Sequence, residues 1–329
     1  MDQLRIGVLG AARITPNALI KPARALPEVS VTAVAARDPD RALAFAKKHA
    51  IPRTHATYAE LLADPNVDAI YNPLPNALHA EWTIAALRAG KHVLCEKPFT
   101  SNEAEALAVA DVARETGLVV MEAFHWRYHP LAARMHEITH DGRLGDITEM
   151  SARLAFPLFK SSDIRWSYPL GGGAFMDAGC YALSCLRHLG EGEPVVTAAR
   201  ARLKSPDVDR VMKAELRFSN GTVGRATGSM WSRQVLGIDA HVTGTRGSMH
   251  VTNFVAPHTF NRLKVTVEGT TARHRIKGEP TYTGQLRAFT GAVLRGEPFP
   301  TTVDDAIVQM RLIDAIYTAA GMRLRGLPS

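Results

Sequence analysis

The segment Leu4-Arg5-Ile6-Gly7-Val8-Leu9-Gly10-Ala11-Ala12-Arg13-Ile14-Thr15 decides the fold, because a short apolar strand runs directly into a glycine turn. Gly10 suits the tight turn. Ala12 and Thr15 stand where the dinucleotide-binding fingerprint has its second and third glycines. The small Ala12 still allows a pyrophosphate to approach the backbone, and the N–H groups of a following helix would face it. By itself, the turn is equally compatible with an ordinary connection between a strand and a helix.

Strands and helices alternate from this segment to residue 122. The predicted strands cover residues 4–9, 30–36, 68–72, 92–95 and 118–121, and the predicted helices cover 38–49, 57–62, 76–89 and 100–117. Asp38-Pro39 supplies an N-cap and a first-turn proline, and the residues from Thr100 to Glu103 have capping-box spacing. The alternation predicts an α/β fold, with a doubly wound parallel sheet (a Rossmann domain) over residues 1–122 that binds ligands at the carboxyl ends of its strands.

Residues 123–329 change to longer strands with tight turns. Met212, Ala214 and Leu216 alternate with charged residues, and the hairpin signal Asn220-Gly221 follows. The predicted strands cover residues 148–155, 212–218, 222–230, 238–243, 248–252, 265–267 and 271–276, and the predicted helices cover 130–141, 174–189, 282–294 and 304–320. This pattern predicts a C-terminal α+β domain for substrate binding, with a large, mostly antiparallel, open-faced sheet. Through that sheet we expect a homo-oligomer, either a dimer or a tetramer.

Composition excludes several classes of protein. The 329 residues are 46% hydrophobic and 22% charged, as in ordinary globular proteins of about two domains. The basic residues behind the net charge of +7 are scattered, which favours an ordinary solvated surface over nucleic-acid binding, and the mild basic excess suits an anionic cofactor. No apolar run could span a bilayer, the start lacks a signal-peptide pattern, and three cysteines form no disulfide framework. We therefore expect a cytoplasmic protein with no membrane partner.

The end of the second predicted strand indicates the type of dinucleotide. NAD enzymes usually place an acidic residue there to bind the ribose hydroxyls. This chain instead has Arg37 there, with Arg41 one helical turn later. A guanidinium can bind a 2′-phosphate through charge-assisted hydrogen bonds, whereas Asp38 is needed as a helix cap. The pattern favours NADP over NAD; the alternative is that Arg37 is a solvated surface charge.

Three motifs in the same order resemble those of the Gfo/Idh/MocA oxidoreductases. They are Gly10-Ala11-Ala12-Arg13-Ile14, Cys95-Glu96-Lys97-Pro98 and Gly171-Gly172-Gly173-Ala174-Phe175-Met176-Asp177-Ala178-Gly179-Cys180-Tyr181. The likeness covers nearly the whole chain. It is greatest to the branch with glucose–fructose oxidoreductase, dimeric dihydrodiol dehydrogenase and NADP-dependent xylose dehydrogenase. Many members carry a catalytic histidine where this chain has Tyr181, and this branch is similar in using tyrosine.

The resemblance implies roles for individual residues. Lys97, Tyr181 and Asp177 would be catalytic. Taken with the glycine turn and Arg37, the resemblance implies that the cofactor is bound by Gly10, Ala11, Ala12, Arg13, Ile14, Arg37, Arg41, Pro73, Leu74, Asn76, His79, Glu96, Lys97, Arg165 and Trp166. No metal site is predicted, because Pro130 directly follows the histidine pair at 125 and 129, and no acidic residue is placed to complete a ligand set with the histidines at 125, 129, 136 and 140.

The chemistry of these residues is consistent with hydride transfer. Tyrosine has an ordinary pKa near 10, and a nearby Lys97 ammonium would lower it toward neutrality. Asp177, four residues before Tyr181, would lie on the same helical face and could bind a substrate hydroxyl. We therefore expect an NADP-dependent oxidoreductase acting on a sugar or cyclic diol, such as an aldose or trans-dihydrodiol. A cofactor-recycling glycoside hydrolase and a non-catalytic NADP-binding regulator are the alternatives.

Overall fold

The computed structural model of the protein describes residues 3–231 and 236–326. Its contacts divide the chain into two compact units. The first unit comprises Met1–Tyr128 and Tyr282–Val308, and the second comprises His129–Thr281 and Gln309–Ser329. The predicted boundary between residues 122 and 123 lies near the first of these breaks. No sequence pattern indicated that residues 282–308 return to the first unit.

The described residues form strands β1 to β14 and α-helices α1 to α9. In chain order the strands are Leu4–Leu9, Val29–Ala35, Arg53–His55, Ala69–Asn72, His92–Cys95, Val120–Glu122, Ile147–Ala155, Val195–Ser205, Val208–Arg217, Val223–Ser229, Gly237–Gly244, Gly247–Thr252, Arg262–Val267 and Thr270–His274. The helices are Lys21–Arg24, Pro39–His49, Tyr58–Ala63, His79–Arg88, Glu103–Thr116, Pro130–His140, Cys180–Leu189, Thr281–Arg295 and Val303–Ala319. Among these helices, none is long and apolar enough to cross a bilayer.

The first unit contains the doubly wound parallel sheet that the alternating pattern predicts. Its strand order is β3-β2-β1-β4-β5-β6, and all of the pairs are parallel. The carboxyl ends of β1, β2, β4 and β5 therefore lie along one edge of the sheet, where the segments after Leu9, Ala35, Asn72 and Cys95 begin. The sequence did not predict β3, because its three residues are Arg, Thr and His and show no apolar alternation.

The core of the first unit includes residues from the distant segment. Leu286 and Phe289 of α8 are completely buried in one cluster with Leu4, Val8 and Leu94. Removing a buried leucine or phenylalanine side chain typically costs about 2–5 kcal/mol of folding free energy. The parallel sheet is therefore completed by residues far along the chain.

Two predicted helix starts have different outcomes. The Asp38 carboxylate accepts from the N–H groups of Asp40 and Arg41, at 3.0 and 3.3 Å, so the predicted cap of α2 is confirmed. Thr100 does not cap α5. Asn102 accepts from the Glu105 N–H at 2.9 Å instead, because its side chain lies at the true start of the helix.

The second unit contains the large, mostly antiparallel sheet. Its order is β14-β13-β12-β11-β7-β10-β9-β8, and only the pair β7–β10 is parallel among its described strands. Helix α7 packs on β7 and β10, and α6 packs on α7. Side chains such as Arg225 and His241 lie exposed between buried neighbours on these strands. The sequence did not predict β8, a mostly exposed edge strand with weak alternation.

Candidate active site

The glycine turn lies at the carboxyl end of β1. Gly10 has φ +81°, its N–H donates to the carbonyl of Ala35 at 2.6 Å, and a Cβ there would lie 3.2 Å from Leu74. Left-handed backbone of this kind favours glycine. The Thr15 hydroxyl is buried and has no hydrogen-bond partner in the described chain. Ile14, further along the turn, is partly buried and packs against the core.

Two arginines lie beyond the end of β2. Arg37 and Arg41 are exposed, and neither has an ion-pair partner among the described residues. Tyr58 lies close to both of them: burial raises the pKa of its phenol, while the two guanidinium charges act in the opposite direction. Asp38 is committed to capping α2. The free charge at this end of β2 is therefore positive, which fits a ribose that carries a phosphate better than one with two free hydroxyls.

The loop after β4 is anchored from beneath by Asn72. Its side-chain amide donates to the His79 carbonyl and to the Thr83 hydroxyl, each at 3.2 Å, and Asn72 is completely buried. Its Oδ1 accepts from the Leu74 N–H at 3.4 Å. These bonds hold the backbone of the predicted cofactor loop, in which Pro73 is buried and Asn76 is half-buried.

His79 connects this loop to the next one. Its Nε2 lies 2.8 Å from the Leu74 carbonyl and its Nδ1 lies 2.9 Å from the Pro98 carbonyl. The ring is completely buried, and burial lowers its pKa to about 4. We predicted His79 as a cofactor contact. The structure instead places it beneath the surface, where it joins the loop after β4 to the Glu96-Lys97-Pro98 loop.

Glu96 and Lys97 follow β5 at the same sheet edge. The Tyr71 hydroxyl donates to Glu96 Oε1 at 2.8 Å, and the Lys97 N–H donates to Glu96 Oε2 at 3.3 Å. Glu96 is buried and Lys97 is half-buried. Glu96, which the sequence predicts as a cofactor contact, therefore orients the loop that contains Lys97. Sequence patterns missed Tyr71, because a buried tyrosine in a strand has no signature other than its apolarity.

Cys95 lies next to this acidic side chain. It is completely buried at the end of β5, and burial raises the pKa of its thiol. A protonated, inaccessible thiol is a poor nucleophile. Cys95 therefore belongs to the core of the sheet and not to the chemistry at its edge.

In the second unit, Asp177 is paired with Arg165. Arg165 Nε lies 3.0 Å from Asp177 Oδ2, and this carboxylate raises the pKa of the guanidinium. We predicted Arg165 as a cofactor contact, and the structure pairs it with a predicted catalytic residue. Asp163 caps the short helical turn that contains Arg165 by accepting from its N–H at 3.1 Å.

The neighbouring Trp166 has a packing role. It is only 9% exposed and lies in a cluster with Ala174, Val208 and Met230. A side chain in such a cluster stabilises the segment and offers little surface to a ligand. The predicted contact between Trp166 and the cofactor is therefore not supported by its surroundings.

Tyr181 lies near the start of α7 and is 6% exposed. We predicted one α-helix over residues 174–189. The structure begins it with a π-helical turn, Phe175–Gly179, which contains Asp177. A π turn is wider than an α turn, so the four-residue spacing of Asp177 and Tyr181 does not by itself place them on one helical face. Such turns are frequent at functional sites. The described residues contain no group of three or more side chains suited to a metal ion.

Two family models match this chain, one within each unit. Residues 4–124 match the model described as the oxidoreductase family with an NAD-binding Rossmann fold, GFO/IDH/MocA. Residues 132–250 match the GFO/IDH/MocA C-terminal domain. Together the two matches cover more than half of the chain.

Individual relatives extend this similarity. The chain is 34% identical to an NADP(+) D-xylose 1-dehydrogenase of Haloferax volcanii, over 96% of this chain and 97% of that one. It is 34% identical to the mouse trans-1,2-dihydrobenzene-1,2-diol dehydrogenase, over 77% of this chain and 76% of that one. Its structure is similar to a 3-ketoreductase from Actinomadura kijaniata in complex with NADP and TDP-benzene. The TM-score is 0.90 and the identity is 31%, over 96% of this chain and 98% of that one.

Proposed function

The chain belongs to the GFO/IDH/MocA oxidoreductase family, and we propose that it is an NADP-dependent dehydrogenase of an aldose or a related cyclic diol. The observation that carries the proposal is the Glu96-Lys97 loop at the carboxyl end of β5, anchored by Tyr71 and His79. The relatives named for NADP and for sugar or diol oxidation support it.

The residues of the first unit fit the cofactor. The backbone of the Gly10 turn would hold the pyrophosphate, and Arg37 with Arg41 would hold the 2′-phosphate. Once bound, NADP would supply the acceptor for the hydride that leaves the oxidised carbon. Lys97 would orient the substrate oxygen, and its positive charge would stabilise the negative charge that develops on that oxygen.

The residues of the second unit would complete the proton transfer. Tyr181, ionised to the phenolate that a nearby Lys97 ammonium would favour, would take the proton from the substrate hydroxyl as the hydride leaves. Asp177 would bind a neighbouring hydroxyl, held in place by its ion pair with Arg165. Lys97 and Tyr181 belong to different units, so their joint action is a prediction that a double variant tests.

The proposal predicts turnover of NADP with a sugar or diol. Purified protein with NADP and D-xylose, D-glucose or trans-1,2-dihydrobenzene-1,2-diol should produce NADPH, measured by absorbance. An aryl glycoside serves as a control, because its cleavage without net NADPH would indicate the cofactor-recycling hydrolase. Tight NADP binding with no turnover of any compound would contradict the proposed function and favour the regulator.

The arginines should set the preference for NADP. We expect Arg37→Gln to raise the KM for NADP roughly tenfold or more, because one charge-assisted hydrogen bond to a phosphate contributes about 1.5–3 kcal/mol. The KM for NAD should change little. Arg88→Gln, at the end of α4, removes a basic charge elsewhere in the same unit and should change neither value. Equal losses with NADP and NAD would contradict a 2′-phosphate role.

We also propose that the protein forms a homo-oligomer through the open face of the second unit's sheet. That face bears ordered polar contacts, such as Arg153 with Asp239 at 2.5 Å and the stacked rings of His241 and His250 at 3.9 Å. Ordered polar pairs on an exposed sheet can form a self-complementary surface. Sedimentation velocity would show the oligomer, and a monomer at micromolar concentration would contradict it.

The location that we propose is the cytoplasm. The cysteines Cys95, Cys180 and Cys185 are buried and form no disulfide. Cysteines that stay outside disulfides are typical of a reducing compartment. Fractionation of cells that produce the protein would test this, and recovery outside the cytoplasm would contradict it.

A further inference from the structure

A buried polar cluster lies beside the Gly171-Gly172-Gly173 turn of the second unit. The Asp209 carboxylate accepts from the Tyr317 hydroxyl at 2.9 Å and from Arg325 Nη2 at 3.1 Å. Asp209 and Arg325 are completely buried and Tyr317 is 1% exposed. The Arg325 guanidinium also lies over the Tyr317 ring, 3.7 Å from its centroid. We call these three side chains the Asp209 cluster.

The Asp209 cluster holds the glycine turn from both sides. Asp209 Oδ2 accepts from the Phe175 N–H at 2.8 Å, and Arg325 Nε donates to the Gly172 carbonyl at 3.1 Å. Gly173 has φ +139°, and a Cβ there would lie 2.3 Å from Asp209 Oδ1. The turn and the cluster are therefore fitted to each other, and no other residue can replace Gly173 without moving them.

The same turn connects the two partners of the ion pair at the candidate site. The Gly173 N–H donates to the Arg165 carbonyl at 2.9 Å, and the Gly173 carbonyl accepts from the Asp177 N–H at 3.1 Å. The Arg165 and Asp177 side chains then meet at 3.0 Å. A shift of Gly173 would move both backbones, and with them the start of the helix that contains Tyr181.

Stability alone does not explain this arrangement. Taking two charges out of water is costly, so a buried ion pair often contributes no more than a well-packed apolar cluster of the same volume. Burial raises the pKa of Asp209 even though Arg325 acts to lower it. The directed hydrogen bonds of the cluster do what an apolar cluster could not, because they fix a backbone carbonyl and a backbone N–H in place.

We propose that Asp209, Tyr317 and Arg325 are positioning residues, which set the geometry of the segment that contains Asp177 and Tyr181. The proposal rests on the proposed function. Arg325 lies in the C-terminal segment beyond α9, so the end of the chain contributes to catalysis without contacting the substrate. Small displacements of reacting groups can cost large factors in rate, which makes turnover a sensitive measure of such a role.

The test compares Tyr317→Phe and Arg325→Lys with wild type and with Leu263→Ala. Tyr317→Phe keeps the ring and removes the hydrogen bond to Asp209. Arg325→Lys keeps the charge and removes the guanidinium, which contacts both Asp209 and the Gly172 carbonyl. Each should lower kcat roughly tenfold, with the KM and Kd for NADP within about twofold of wild type. Hydrogen exchange of the amides of residues 173–181 should become faster.

Leu263→Ala is the matched control for a loss of stability. Leu263 is completely buried in β13, and four strands separate β13 from β9 in the same sheet. It should lower Tm at least as much as Tyr317→Phe and leave kcat and the exchange of residues 173–181 unchanged. A Tm loss in Tyr317→Phe and Arg325→Lys, with normal kcat and exchange, would overturn the proposal.

Hydrogen exchange separates this proposal from the proposed function. An inactive wild type would contradict the function, and the exchange of residues 173–181 would still decide the structural part. In that case, faster exchange in the two variants would support a positioning role of the cluster. Unchanged exchange would overturn it.

Discussion

Lys97→Met is expected to lower kcat about a thousandfold, while the Kd for NADP stays within a few-fold of wild type. The methionine side chain is nearly as long as that of lysine, but it has no charge and no ionisable proton. The loop should keep its shape, because the Lys97 N–H and the Glu96 carboxylate remain in place and Tyr71 and His79 still anchor it. Stopped-flow NADPH formation with D-xylose, and NADP titration by fluorescence, measure the two quantities.

Lys47→Met provides the control for the loss of a positive charge. Lys47 is exposed on α2, in the same unit. It should retain the wild-type kcat, with a small change at most in the KM for NADP at low salt. A Lys97→Met protein with full kcat would show that the ammonium has no part in the reaction.

Tyr181→Phe is expected to lower kcat by a similar factor of about a thousand, since it removes the group that exchanges the proton. The ring remains, and Tyr181 is only 6% exposed, so packing around α7 should be kept. The KM for the sugar should change much less than kcat. Steady-state kinetics over a range of pH would detect the loss, and a kcat within threefold of wild type would assign the proton transfer to another residue.

The double variant Lys97→Met/Tyr181→Phe tests whether the two residues act together. Groups that act as a unit have non-additive effects, so the double variant should be only slightly slower than either single variant. Fully multiplied losses would indicate independent roles. Such a result would contradict the expectation that both residues serve one proton transfer.

The sequence predicted those parts of the fold that depend on neighbouring residues. The apolar run before Gly10 and the cap at Asp38 act over a few residues, and both are present in the structure. The parallel sheet followed from alternation alone. Two strands were missed because their local patterns are weak: Arg53–His55 is short and polar, and Val195–Ser205 is an exposed edge.

The site was harder to predict, because its geometry depends on residues that are distant in sequence. Arg37 and Lys97 could be proposed as site residues from the sequence, since each follows a predicted strand at its carboxyl end. The burial of His79 beneath two loops could not be predicted, because its hydrogen-bond partners are backbone carbonyl groups, which no side-chain pattern reveals. Asp209 and Arg325 are 116 residues apart, and neither lies in a recognisable motif.

The return of residues 282–308 to the first unit affects how the protein matures. A ribosome releases Leu4 and Val8 early, but their core partners Leu286 and Phe289 emerge only after residues 129–281. The nascent first unit therefore has an incomplete interior until synthesis is almost finished, and the second unit in turn lacks Tyr317 and Arg325 until residues 309–329 have followed. During that interval the first unit is exposed to chaperones and proteases, and a circular permutant that begins at residue 282 would shorten the interval.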